Sequence, residues 1–168
     1  MAERIAKIVL LVEDSRQESL LRRYLHQLGH DNHAIYVRKS PKGRGSGEQF
    51  VREQYALEVY AIRSQLTRTK ACLIVMIDAD VVALDDRKRQ FARALQNAEE
   101  PARNAQEPIL NLITKRNVET WILCLNAEVV DEIGDYRNVA RVDSQSIKQR
   151  PAPCSRGRGQ TVPFLPVV

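Results

Sequence analysis

The chain has 168 residues, an apolar fraction of 43% and a formal net charge of +5, with a pI near 9.3. That length suits one domain with a buried core, and no apolar run approaches the ~20 residues needed to span a bilayer, so no membrane partner is expected. The opening "MAERIAK" mixes acid and base ahead of the short run "IVLLV", which is too brief for a signal-peptide core, and a cytoplasmic location is expected.

"RIAKIVLLV", 4–12, reads as a buried strand that ends abruptly in charge. Ser15 with Glu18 three residues on has the spacing of a capping box. Leu20, Leu21, Tyr24, Leu25 and Leu28 then recur at helical spacing until Gly29 stops the helix. "HAIYV", 33–37, is a second predicted strand, and "RKSPKGRGSG", 38–47, is a loop holding four bases and three glycines. A second helix has Val51, Tyr55, Glu58/Val59, Ile62 and Leu66 along one face.

"ACLIVMI", 71–77, carries almost no polar side chain and ends in Asp78-Ala79-Asp80; such a run is usually a central strand covered on both faces. A third helix takes Leu84, Phe91 and Leu95 inward and presents "DDRKRQ" to water. "NAEEPARNAQEP", 97–108, is a linker, "ILNLI", 109–113, is a further strand, and Val118, Trp121, Ile122 and Leu125 form a short helical stripe. Strands alternating with helices predict an α/β, Rossmann-like three-layer sandwich with a mainly parallel sheet over residues 1–137. Residues 138–168 include "QRPAPCSRGRGQTVPFLPVV" and are predicted to be a basic, disordered or loosely attached tail.

The basic excess suits a polyanion partner such as nucleic acid, but much of it is local. From 137 to 158, Arg137, Arg141, Lys148, Arg150, Arg156 and Arg158 face one acid, Asp143. Cys72, Cys124 and Cys154 lack metal-ligand spacing, and Cys72 and Cys124 sit in apolar stretches. They read as buried small hydrophobes, with no disulfide expected.

The chemistry lies in the acids that end strands. Glu13 follows the first strand, and Asp78 and Asp80 follow the third. In a parallel sheet those ends share one edge, where ligands bind, and residues i and i+2 of an extended segment project to the same side. Carboxylates gathered there repel each other by roughly 4 kcal/mol per pair at ~4 Å and an effective dielectric of ~20. A divalent cation relieves that repulsion, and hard oxygen ligands with room for water suit Mg²⁺. The same acids can also be solvated or cap helices; Asp80 is placed to cap the helix near 84, and Glu18 belongs mainly to the capping box.

Two families begin like this. A phosphorelay receiver would use Glu13 and Asp14 as its acid pair, Asp78 as phosphoacceptor and Thr114 as switch hydroxyl. Against that reading, the interval from Asp14 to Asp78 is longer than receivers use. "DADVVALDD" also lacks the usual Pro, and no Lys-Pro follows a fifth strand. "VEDSRQESLLRRYL", "GRGSGEQFVRE", "LIVMIDAD" and "KRNVETWIL", spread over 12–123, instead resemble the TOPRIM family, in particular its small stand-alone prokaryotic members. In that family a Glu ends the first strand and an Asp-x-Asp ends a later one.

The resemblance implies a TOPRIM-like fold and a phosphodiester-cleaving site dependent on Mg²⁺ (or Mn²⁺), acting on DNA or RNA. Glu13 would be the general acid/base, with Glu13, Asp78 and Asp80 around the metal. It also implies nucleic acid as partner, a partner ATPase or a second copy of the chain, and a role in phage defence. Two departures stand out: Asp14 replaces the Gly that many TOPRIM domains have after the Glu, and the chain turns tail-like beyond "DEIGDYRNVARV". The alternative is a non-catalytic module that binds nucleic acid or a partner through the same fold.

Other residues would support such a site. Arg38, Lys39, Lys42 and Arg44, interleaved with glycines, can cradle phosphates ahead of a helix N-terminus, or form a solvated loop. Lys115 and Arg116 follow a strand end and can stabilise charge on a phosphate, and Glu119 is a further catalytic or supporting carboxylate. Trp121 is expected in the core, and His26, His30 and His33 on the surface.

Overall fold

The computed structural model describes residues 5–41, 43, 45–79, 82–125, 128–131, 134 and 136. Strand β1 (Lys7–Val12) leads through α1 (Ser15–Gln27) and a short 3-10 turn (Asn32–Ala34) into β2 (Ile35–Arg38). Then follow α2 (Gly47–Gln65), β3 (Ala71–Asp78), α3 (Leu84–Asn97), β4 (Ile109–Thr114) and α4 (Val118–Leu125). Every strand pair is parallel, in the order β2-β1-β3-β4. The α/β three-layer architecture expected from the alternating elements is the one observed; the predicted tail, 138–168, lies outside the described residues.

Period-two alternation along the central strands builds two cores. Ile8, Leu10 and Val12 of β1 and Cys72, Ile74 and Met76 of β3 pack with Leu20, Leu21 and Leu25 of α1 and with Val118, Trp121 and Ile122 of α4. Val9 and Leu11 of β1 and Leu73, Val75 and Ile77 of β3 face the other way. They meet Val51, Tyr55, Val59 and Ile62 of α2 and Phe91 and Leu95 of α3, with the Tyr55 and Phe91 rings stacked at 4.2 Å. Because helices cover both faces, successive side chains of β3 are all inside, which is why its sequence is an unbroken apolar run. Trp121 is core, as expected. No helix among the described residues is long and apolar enough to cross a membrane.

The helical stripes need correction at their ends. Leu66 and Leu84 were expected inward but are 42% and 36% exposed, while Arg87, assigned to water, is only 1% exposed. Arg87 stands four residues before Phe91 and eight before Leu95, so it occupies the inward stripe that Leu84 was expected to begin. Cys72 is free and buried, and burial pushes its thiol up to about 11. Cys124, near the end of α4, is half-buried.

The segment between α3 and β4 is tethered by Arg63 of α2, which reaches Glu100 at 2.8 Å and Glu107 at 2.7 Å. The hydrogen bond from Arg63 holds the Glu107 carboxyl below its ordinary value of 4.5, against the opposing effect of burial. A carboxyl depressed in the folded state contributes stability that is complete above its unfolded value and is lost as pH falls through the folded one. Urea midpoints should therefore decline on acidification below about pH 4.5. Arg63→Met should lower the neutral-pH midpoint and flatten that decline, as followed by circular dichroism.

Candidate functional site

From β1 the chain passes to β2 on one side, and from β3 to β4 on the other. The loops after β1 and β3 therefore diverge at the carboxyl ends of adjacent strands, and ligands of open α/β sheets bind in such a crevice. Glu13 directly follows β1, and Asp78 is the last residue of β3. The register sets Val12 beside Met76, so both acids stand at one edge. The backbone N–H of Asp78 donates to Glu13 Oε1 at 2.5 Å. That contact brings together two of the predicted acids, Glu13 and Asp78; Asp80 lies outside the described residues.

Asp78 is held at several atoms. Its Oδ1 accepts from Gln17 Nε2 at 3.1 Å and from the Thr114 hydroxyl. Its backbone carbonyl accepts from Arg87 Nη2 at 3.0 Å. Gln17, on the first turn of α1, accepts the Glu13 backbone N–H at 2.9 Å through its own Oε1. Thr114 sits opposite Asp78 in the β3–β4 register, and its carbonyl accepts the Ala79 N–H at 2.8 Å. Arg87 also binds Glu48 on the first turn of α2 and Gln90 on its own helix. A buried guanidinium is costly unless its donors are used; here Nη1 and Nη2 join α2, α3 and the end of β3, while the buried Nε has no hydrogen-bond partner among the described residues.

The cap of α1 differs from the expected one. Asp14, and not Ser15, is the N-cap, and its side chain accepts from the N–H groups of Arg16 and Gln17, each at 2.9 Å. The Asp14-x-x-Gln17 pair has the capping-box spacing one residue earlier, which turns Gln17 back to the strand end. Asp14 therefore serves the helix rather than joining the Glu13/Asp78 pair. Glu18 bonds Arg22 at 2.9 Å and Lys39 at 2.6 Å. Burial raises its carboxyl, but those two cations outweigh it and hold the group below its ordinary value.

The other predicted residues are spread around the same end of the sheet. Lys39 contacts Ser15 and Glu18, which anchors the 38–47 loop to α1, and Arg38 pairs with Glu58 at 3.0 Å. Lys42 and Arg44 lie outside the described residues. Lys115 and Arg116 are exposed just past β4, and Glu119 is buried and ion-paired with Arg16. That ion pair makes Glu119 a bridge from α4 to the start of α1, and the structure does not bring it onto Asp78. Gln17 and Arg87 escaped the sequence reading, although the Asp14-x-x-Gln17 spacing and the position of Arg87 on the Phe91/Leu95 stripe both signalled them.

One glycine of the basic loop has a clear steric role. A Cβ on Gly47 would lie 2.8 Å from the carbonyl carbon of Glu13 and 2.9 Å from its Cα, so only glycine lets α2 begin this close to β1. Ser46 caps that helix, accepting the Gln49 N–H at 3.1 Å. Gly47→Ala should displace Glu13 and cost about 1–3 kcal/mol of stability, in the range of overpacked sites, read as a lower urea midpoint.

Carboxylates on two adjacent strand ends are the hard oxygen donors that Mg²⁺ takes, commonly one or two per ion alongside water and phosphate. Glu13 and Asp78 fit that role by chemistry and by their shared edge. Among the described residues no group of three or more His, Cys, Asp or Glu is arranged around a metal position. Compared with protein-family models, curated proteins and solved structures, the chain has no match.

Proposed function

We propose that this chain is a TOPRIM-like, divalent-metal-dependent nuclease that cleaves phosphodiester bonds in DNA or RNA. The observation that carries the reading is the joining of Glu13 and Asp78, from separate strands, at the switch point of a parallel sheet. Asp78, with Asp80 two residues on, would hold Mg²⁺ or Mn²⁺ together with Glu13. A metal bound there supplies Lewis-acid polarisation of the phosphodiester and a more acidic water. Glu13 would take up or return a proton at the attacking or leaving oxygen. Its link to the Asp78 N–H fixes the carboxylate's position, as general acid–base work requires. Lys115 and Arg116, exposed beyond β4, would meet the phosphate backbone, with Lys39 on the other side of the crevice; Lys42 and Arg44, close to Lys39 in sequence, would add basic charge. Glu119 would act through Arg16, orienting the start of α1.

A second reading draws support from the Thr114 hydroxyl on Asp78 and from the β2-β1-β3-β4 order, which flavodoxin-like and receiver folds share. In a receiver Asp78 would accept a phosphoryl group. The missing Lys-Pro and the commitment of Asp14 to the α1 cap weigh against it.

Purified full-length protein should cleave single- or double-stranded DNA or RNA only with Mg²⁺ or Mn²⁺. Asp78→Asn and Glu13→Gln should each lower the rate by at least the 10²-fold typical of lost acid–base groups. Undiminished cleavage by both variants sinks the nuclease assignment. Binding that persists in chelator and weakens steeply with salt points instead to a non-catalytic nucleic-acid module. A mass gain of one phosphoryl group on incubation with acetyl phosphate, absent in Asp78→Asn, selects the receiver.

A further inference from the structure

We infer that Gln17 and Thr114 form a two-donor clamp on Oδ1 of Asp78, and that this clamp sets the affinity of the Glu13/Asp78 edge for a divalent cation. The inference rests on the metal-site reading above and assigns the residues that make that site work.

The argument begins with what each donor is. Gln17 Nε2 lies 3.1 Å from Asp78 Oδ1, and the Thr114 hydroxyl donates to the same oxygen. The Gln17 amide has only one workable orientation. Its oxygen accepts the Glu13 N–H at 2.9 Å, so its nitrogen, which only donates, must be the atom facing Asp78. Gln17 therefore spans the two strand ends, holding the Glu13 backbone with one atom and the Asp78 carboxylate with the other.

Burial makes these bonds hard to replace. Gln17 is 1% exposed and Thr114 0%, so neither donor can turn to bulk water. A buried polar group left without its partner costs the full desolvation penalty. Rotation of the Asp78 carboxylate would break both bonds together, so its plane is fixed before any ligand arrives.

The donors are also electrically neutral. Around the same end of the sheet, Glu18 is held by Arg22 and Lys39, and Glu119 by Arg16. A cationic partner orients a carboxylate and also cancels the charge that would attract a metal. At Oδ1 of Asp78 the two donors are an amide and a hydroxyl, which orient the carboxylate through hydrogen bonds without placing a cation on that oxygen. Partners of this kind, removed from other metal sites, typically cost about 10- to 100-fold in metal affinity.

Mn²⁺ binding to the full chain, measured by isothermal titration calorimetry alongside thermal melting, tests the clamp without any substrate. Thr114→Val keeps the shape and removes the hydroxyl, and Gln17→Leu removes both amide contacts. Each should weaken Mn²⁺ binding by about 10-fold or more, while Thr114→Ser, which restores the hydroxyl, should bind like wild type. If Gln17→Leu does not fold, the Thr114 pair decides. Thr114→Val protein that melts lower yet binds Mn²⁺ as tightly as wild type overturns the clamp and leaves Thr114 with a packing role. Wild-type protein that takes up no Mn²⁺ overturns the metal-site reading, and this inference with it.

Discussion

The hydrogen bond from the Asp78 backbone to the Glu13 carboxylate exists because β1 and β3 are parallel neighbours, although Asp78 follows Glu13 by 65 residues. Parallel strands cannot be joined by a tight turn; each connection needs a crossover. Here α1, β2 and α2 fill that interval. The apolar faces of β1 and β3 bind helices on both sides, and so the strand ends, with the acids they carry, cannot slide apart without opening both cores. A one-residue slip would also exchange the two faces of β3.

Around that fixed pair the chain uses charge in two ways. Ion pairs hold the surrounding pieces together: Lys39 ties the 38–47 loop to α1, Arg16 ties α1 to Glu119 of α4, and Arg63 ties the approach to β4. Arg87, almost wholly buried, carries the same logic inward by joining α2 and α3 to the backbone of Asp78. At Oδ1 of Asp78 the partners are an amide and a hydroxyl.

This division bears on the function. Glu119, expected as a further site carboxylate, and Glu18, expected mainly as a capping residue, are each engaged by arginine or lysine in the structure. Glu13 and Asp78 are the acids brought to the switch point, where the fold itself makes a crevice. The proposed reading as a phosphodiester-cleaving enzyme draws its support from that placement and from oxygen-donor chemistry, and experiments with metal and substrate test it.

Much of this was legible in the sequence. The unbroken apolar run of 71–77, the helical stripes and the acids at strand ends were enough to give a parallel α/β sandwich and to single out Glu13 and Asp78, since burial on both faces and helical periodicity leave direct marks on residue order. Local signals came close and slipped by one step: the cap fell on Asp14 instead of Ser15, and the inward stripe of α3 took Arg87 in place of Leu84. Tertiary structure alone decided the partners. Whether an acid faces Gln17, Thr114 or an arginine depends on side chains 36 to 103 residues away. Those distances in space are set by strand order and helix packing, and neither leaves a periodic trace in the chain.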